Sequence, residues 1–229
     1  VHSGPVTFTC VYGGEDYDAR LCQPGWDQPG LSEAKWEPAV VTQGPGGAMK
    51  GLSCAAPPVC CFDTFKPVNT TVIRPGVTVY DFGQNAAQMP RITVSGPRGA
   101  AVKLSPAEIV GQNNEIGQAS VGGNISCCYW LDGSGRETWS PRFFYCGYRY
   151  LQVECIASPQ GALPVVEALE SRVVHIELLR RYYDGMTRYV AYLESKAGNG
   201  RILSDGPGDW RQLENTPNAV TATTIFFDD

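Results

Sequence analysis

Apolar and polar residues alternate along two stretches of the chain. Arg91-Ile92-Thr93-Val94 and Tyr148-Arg149-Tyr150-Leu151-Gln152-Val153 each place every second side chain on one apolar face. A period of two belongs to a strand with one face on a core and the other in water. Shorter apolar or β-branched runs recur at 70–73, 77–82, 101–104, 127–131 and 143–145. Turn signals separate them, among them Ser95-Gly96-Pro97-Arg98-Gly99 and Asp132-Gly133-Ser134-Gly135. Short strands at this spacing predict a mainly β fold, an antiparallel β-sandwich of jelly-roll type. Tyr80, Phe82, Ile92 and Val94 are expected in its core or rim.

From Ile176 the period changes. Leu179, Tyr182/Tyr183, Met186, Tyr189/Val190 and Leu193 recur three and four residues apart, which predicts a helix. Asp184-Gly185 is a candidate break, with Asp184 capping the second piece. Gly198 and Gly200 stop the run. One helix cannot bury its own apolar stripe, so this tail is expected to self-associate, and limited proteolysis is expected between residues 159 and 181. Residues 1–55 carry Gly and Pro every few positions, with Trp26 and Trp36 as large apolar anchors, and read as loops closing onto the β region. The expected organisation is therefore a turn-rich end of an N-terminal β region (1–55), the sandwich (56–157), a linker (158–175) and the helical segment (176–229).

Composition narrows the function classes. The 229 residues include 26 Gly and 17 Pro against 18% charged residues, which suits short strands and turns. A net charge of −5 argues against nucleic acid as a partner, since phosphate binding needs a basic surface. No apolar window is long enough to predict a membrane span. The first residue is Val with no leader after it, so the chain reads as an internal piece, compatible with a secreted or extracytoplasmic parent. Nine cysteines without a Cys-x-x-Cys pair, and only two histidines, predict no zinc site and no other metal. The vicinal pairs Cys60-Cys61 and Cys127-Cys128 lie in strand-like runs and are read as small hydrophobes. Asn69 and Asn124 head glycosylation sequons. Gly44-Pro45-Gly46-Gly47 lacks the Lys-Ser/Thr of a phosphate loop, and no cofactor is expected.

Two clusters are candidates for chemistry. Asp81-Phe82-Gly83-Gln84-Asn85 could present oxygens to a sugar or a calcium ion. It could equally end a strand in a turn, with Gly83 at positive φ and Asp81 or Asn85 bonding nearby backbone, and this reading is preferred. "WSPRFFYCGYRY" at 139–150 could stack aromatics on sugar rings, but such residues more often fill a sandwich core.

Five phrases, in order, resemble one enzyme family. "YDARLCQPGWDQPG" at 17–30, "VYDFGQNAAQMPRITVSGPRGAAVKL" at 79–104 and "WSPRFFYCGYRYLQVE" at 139–154 are similar to the sandwich region of bacterial-type α-L-rhamnosidases, glycoside hydrolase family 78. "RRYYDGMTRYVAYLESKAGNGRILSDGPGDW" at 180–210 and "TPNAVTATTIFFDD" at 216–229 resemble a later part of the same enzymes, within an (α/α)6 barrel. The resemblance implies an inverting hydrolase that removes terminal rhamnose from glycosides or polysaccharides. It also implies a gap. Arg172-Val173-Val174-His175 resembles the family's entry into the barrel, but Ile176 onward matches a much later helix. The acidic motif carrying the general acid is absent, as after an internal deletion. No catalytic residue is assigned; Asp205 and Asp209 share one short loop. Asp209 and Trp210 are the expected substrate-binding residues, with Arg211 and Glu214 as weaker neighbours. The implied partner is a rhamnose-containing glycoside or polysaccharide, with no nucleic acid and no membrane. The chain is expected to be inactive alone. The alternative is a non-catalytic carbohydrate-binding or structural β-sandwich.

Overall fold

The computed structural model describes residues 4–30, 36–44, 46–47, 59–119, 123–176 and 179–197. In chain order the strands are β1 (Val6–Cys10), β2 (Gly14–Asp18), β3 (Val59–Phe65), β4 (Asn69–Arg74), β5 (Val77–Ser95), β6 (Ala101–Ala107), β7 (Ile109–Val110), β8 (Ile116–Gly117), β9 (Cys127–Trp130), β10 (Arg136–Trp139), β11 (Cys146–Ile156) and β12 (Val165–Ile176). A short 3-10 helix covers Ala19–Leu21, and one α-helix, α1, covers Leu179–Ala197. Contacts divide the chain into two units, one of Val1–Ser53 with Val59–His175 and one of Cys54–Pro58 with Ile176–Asp229.

The first unit is the predicted β-sandwich. Ten strands form one curled sheet in the order β1-β2-β9-β6-β11-β5-β12-β3, with β4 and β10 also paired to β5. The described registers are antiparallel except between β2 and β9, which run parallel, Tyr17 beside Tyr129.

The centre of the sheet is β5, and it differs from the expectation of two strands separated by a turn. Its first half pairs with β4 and β11, and its second half with β10 and β12. Between them, Ala86 pairs with Tyr148 and Asp81 with Tyr150, so residues 82–85 stand opposite Arg149 alone. This is an extended bulge. Buried positions are Val77 and Val79 before it, then Phe82, and Gln88, Ile92 and Val94 beyond it. The extra residues switch the inward face from odd to even positions, which keeps both halves facing the core while the strand turns from one layer to the other. Gly83 sits in the bulge at φ 80°, a conformation costly for any residue with a Cβ.

The core lies between the layers. Ile92, Val94, Val102, Leu104, Leu131, Tyr148 and Leu151 are almost wholly removed from water, and Tyr80 packs against them half-buried. Fully burying such an apolar side chain is worth about 1.5–3 kcal/mol. Phe82 meets Tyr148 edge to face at 5.9 Å. The Tyr148 hydroxyl shares a hydrogen bond with Ser171 of β12. Cys127, Cys128 and Cys146 are free thiols, and burial pushes each up to about 12, so they are neutral packing groups.

Three further expectations change. Strands β1 and β2 occupy a stretch read as loops. Gly14 turns between them at φ 109°, and a Cβ there would lie 1.9 Å from the Ser126 carbonyl oxygen. Residues 165–176, read as linker, are β12, paired with β5 from Val165 to Val173. That pairing protects the middle of the segment in which proteolysis was expected. Residues 143–145 are not a strand: Pro141 and the acceptor Glu15 hold them as a loop.

The second unit contains α1. It runs unbroken through Asp184-Gly185, because a single Gly costs a helix only about 1 kcal/mol relative to Ala. It ends at Ala197, immediately before Gly198. Tyr183, Met186, Tyr189, Val190 and Tyr192 are exposed, and Leu193 is buried.

Candidate functional site

The polar cluster in β5 spends its groups on the fold. Asp81 Oδ1 accepts from the Gly83 backbone N–H at 2.7 Å and from Arg149 Nε at 2.8 Å, while Oδ2 accepts from Arg149 Nη2 at 2.9 Å. The Arg149 guanidinium holds the Asp81 carboxyl below its ordinary range. Asn85 Nδ2 donates to Glu108 Oε1 at 3.1 Å. Arg149 also lies over the Tyr150 ring, 5.1 Å from its centroid. Among the described residues, no group of three or more His, Cys, Asp or Glu could hold a metal ion.

A different region forms an apolar opening. After β2, Asp18 caps the 3-10 helix by accepting from the Arg20 N–H at 3.0 Å, and its carboxylate takes the Arg20 guanidinium at 2.7 Å. The chain then turns twice. Trp26 N–H donates to the Gln23 carbonyl at 3.2 Å, and Gln28 N–H to the Gly25 carbonyl at 2.9 Å. These turns lift Trp26 out of the sheet with 64% of its surface exposed. Trp36 Nε1 donates to Gln23 Oε1 at 3.0 Å.

The opposite wall is the loop 141–145. Its anchor is Glu15, fully buried on β2. The Arg142 backbone N–H donates to Glu15 at 3.0 Å and the Phe143 N–H at 2.8 Å. A buried carboxylate is tolerated where charge-assisted hydrogen bonds replace its hydration. The loop's side chains are divided: Phe144 enters the core, whereas Phe143 remains 65% exposed. Tyr17, Gln23, Trp26, Trp36, Arg142 and Phe143 enclose a cleft of about 550 Å³. Tyr17 hydrogen-bonds Cys22 Sγ at 3.0 Å, and burial pushes its phenol up to about 12, so it is neutral near pH 7.

A second, more polar cavity of about 380 Å³ shares Tyr17, Cys22 and Arg142 with this cleft. Its floor is the stack of Tyr17, Tyr129 and Trp139, with Tyr17–Tyr129 centroids 5.8 Å apart and Tyr129–Trp139 centroids 5.3 Å apart. Glu137 is buried there and accepts from the Tyr129 hydroxyl at 2.8 Å and from the backbone N–H groups of Asp132 and Gly133 at 3.1 and 3.0 Å.

Of the residues expected to bind substrate, Asp209 and Trp210 lie outside the described residues, as do Asp205, Arg211 and Glu214. The cleft as a whole was not expected. Trp26 and Trp36 were read as anchors, and the aromatics of 139–150, Phe143 among them, were weighed for stacking on sugar rings but read as core. A further signal was Pro24-Gly25-Trp26-Asp27, where a large aromatic sits on a turn that cannot bury it.

Comparison with known proteins decides the family. Residues 71–175 match the bacterial α-L-rhamnosidase concanavalin-like domain, and residues 1–60 match the α-L-rhamnosidase N-terminal domain. The chain belongs to the α-L-rhamnosidase family. An α-L-rhamnosidase of Streptomyces avermitilis is 31% identical over 76% of this chain, and one of Formosa agariphila is 28% identical over 70%. The solved α-L-rhamnosidase of Dictyoglumus thermophilum superposes with a TM-score of 0.67 at 31% identity over 76% of this chain. The Streptomyces avermitilis enzyme, solved with L-rhamnose, superposes with a TM-score of 0.65 at 28% identity over 81%. The rhamnosidase-family chain spans only 16% and 17% of the two curated relatives' lengths, and 19% of each solved structure.

Proposed function

We propose that the chain is part of an inverting α-L-rhamnosidase that removes terminal α-L-rhamnose from glycosides or polysaccharides, and that these 229 residues do not catalyse by themselves. The observation that carries the family reading is the match of two rhamnosidase domains in order along one chain. Inactivity rests on the carboxylates. Inverting hydrolysis needs an acid and a base roughly 6.5–9.5 Å apart, with room for water at the anomeric carbon. Among the described residues, the apolar cleft is lined by one carboxylate, Asp27. In the adjoining cavity Glu137 is occupied by three donors, and Asp132 accepts from the Ser134 N–H at 2.6 Å. Among the described residues, neither opening offers a free pair. Asp209 and Trp210 remain the proposed substrate contacts: an indole face suits the C–H face of a deoxyhexose, and a carboxylate accepts its hydroxyl hydrogens.

The test is hydrolysis of an aryl α-L-rhamnoside by the purified chain. The expected rate is background, because general-acid help alone is typically worth ~10²–10⁴-fold and is missing here. Turnover that survives purification and disappears in Asp205→Asn or Asp209→Asn overturns the inactive reading. The second reading, a non-catalytic carbohydrate-binding sandwich, is favoured by the exposed aromatics of the cleft. Coding DNA around the His175 codon separates the two: an intron or assembly break supports the fragment, and continuous reading in a stable transcript supports the binding module.

A further inference from the structure

We infer that the cleft between the Pro24–Asp27 turn and the 141–145 loop is a non-catalytic binding site for a neutral saccharide, with Trp26 and Phe143 as stacking platforms and Arg142 and Asp27 as hydroxyl partners. The choice of rhamnose as probe rests on the family reading; the site itself does not.

Trp26 and Phe143 leave 64% and 65% of their surface in water. Their placement is built. Trp26 is held through its backbone by Gln23, and Phe143 through its backbone by the buried Glu15. Gln23 anchors one wall through a local turn and Glu15 of β2 anchors the other, and walls formed without a ligand lower the entropic cost of binding. Ligand sites are typically clefts of about 300–1,000 Å³, mainly apolar with a few oriented polar groups. The cleft, at about 550 Å³, is of that kind.

The polar groups select the ligand class. Among the described residues, one cation, Arg142, and one anion, Asp27, line the cleft, so their charges are balanced there. The Arg142 backbone is bound to Glu15, which leaves its exposed guanidinium to present donors at the mouth. Asp27 presents acceptors, one of which also accepts from Gln28 Nε2 at 3.3 Å, and the neutral Tyr17 hydroxyl, bonded to Cys22 Sγ, adds a polar group. Donors and acceptors around flat apolar faces suit a pyranose, whose ring has an apolar C–H face and a rim of hydroxyls. Among the described residues, Asp27 is the one carboxylate lining the cleft, which suits binding without cleavage.

The experiment titrates the full chain with L-rhamnose, a rhamnose-terminated disaccharide and D-glucose, read by tryptophan fluorescence and calorimetry. Saturable binding of a rhamnoside is expected, weakened roughly tenfold by Trp26→Ala and by Phe143→Ala. Arg142→Ala should weaken it less, with partial rescue by Arg142→Lys. Val72→Ala, at an exposed position of β4 that does not line the cleft, should leave it unchanged. Trp26→Phe keeps an aromatic face and should retain most of the affinity, which separates stacking from loss of fold; circular dichroism checks each variant. Binding lost in Trp210→Ala but intact in Trp26→Ala and Phe143→Ala overturns this inference and supports the helical-segment site. Equal binding of glucose keeps the cleft as a saccharide site and removes the rhamnose preference. No saccharide binding, with sedimentation showing a dimer broken by Trp26→Ala, overturns it in favour of a second copy as occupant; no binding and no dimer also overturns it.

Discussion

The sandwich and helix α1 use apolar residues in opposite ways. In the sandwich, Ile92, Leu104, Leu131, Tyr148 and Leu151 are at most 1% exposed, and even its buried carboxylates, Glu15 and Glu137, are bonded to backbone N–H groups. In α1, Tyr183, Met186, Tyr189, Val190 and Tyr192 are 40–63% exposed. The helix satisfies its interior backbone hydrogen bonds locally, but local bonds supply little of a helix's stability. A sheet is completed only by partners distant in sequence, and here those partners also exclude water from its core. The sandwich can therefore be expected to carry the cooperative stability, and α1 to open locally.

The largest expected effect is in local opening. Regions of few buried contacts open at close to zero free energy, whereas core strands open only with global unfolding, about 5–15 kcal/mol for a domain. Trypsin should cut at Arg188 in α1 well before Arg91 in β5 or Arg172 in β12. Cleavage inside β12 at the same rate would erase the contrast and contradict its pairing with β5.

Next comes the core. Leu151→Ala should lower unfolding stability by about 2–5 kcal/mol in urea, followed by near-ultraviolet circular dichroism. Val190→Ala on α1 should change it by less than about 0.5 kcal/mol. Equal losses would mean that the helix is part of the same cooperative unit.

A smaller effect separates the bulge from the strands around it. Asp81→Ala removes a carboxylate that joins Gly83 to Arg149, and should cost about 1 kcal/mol, since the pair is partly solvated. The pH dependence has a definite sign. The Asp81 pKa is lowered from 3.8 in the folded state, so its contribution is present above that value and lost as pH falls through the lower folded value. Asp18 and Asp132, also lowered, act in the same direction. Asp16 is raised by burial and acts oppositely. Acid titration of Asp81→Ala should show a shallower loss of stability below about pH 4 than the parent chain.

The smallest thermodynamic effect concerns the exposed face of α1. Tyr183→Glu and Val190→Glu should leave the unfolding midpoint nearly unchanged yet reduce self-association in sedimentation velocity, because an apolar patch in water promotes association. A parent chain that remains monomeric at high concentration would remove self-association from the picture.

Much of this architecture was legible in residue order. The alternation at 91–94 and 148–153 located the buried positions Ile92, Val94, Leu151 and Val153, because side-chain period follows directly from backbone pleat. The helical period located α1, and the ordered phrases located the family. Neither the bulge nor the cleft could be located in that way. "DFGQN" has the composition of a turn, and only pairing with β11 on one side and β12 beyond it makes it the middle of a 19-residue strand. Likewise Glu15 and Arg142 are 127 positions apart, and nothing local to either marks the other. Local chemistry sets which conformations a segment prefers, and so it determined the periods and the left-handed glycine at 83. Which strand continues through a polar bulge, and which distant loops close around Trp26, depended on long-range hydrogen bonds and shared burial, which exist only once the chain has folded.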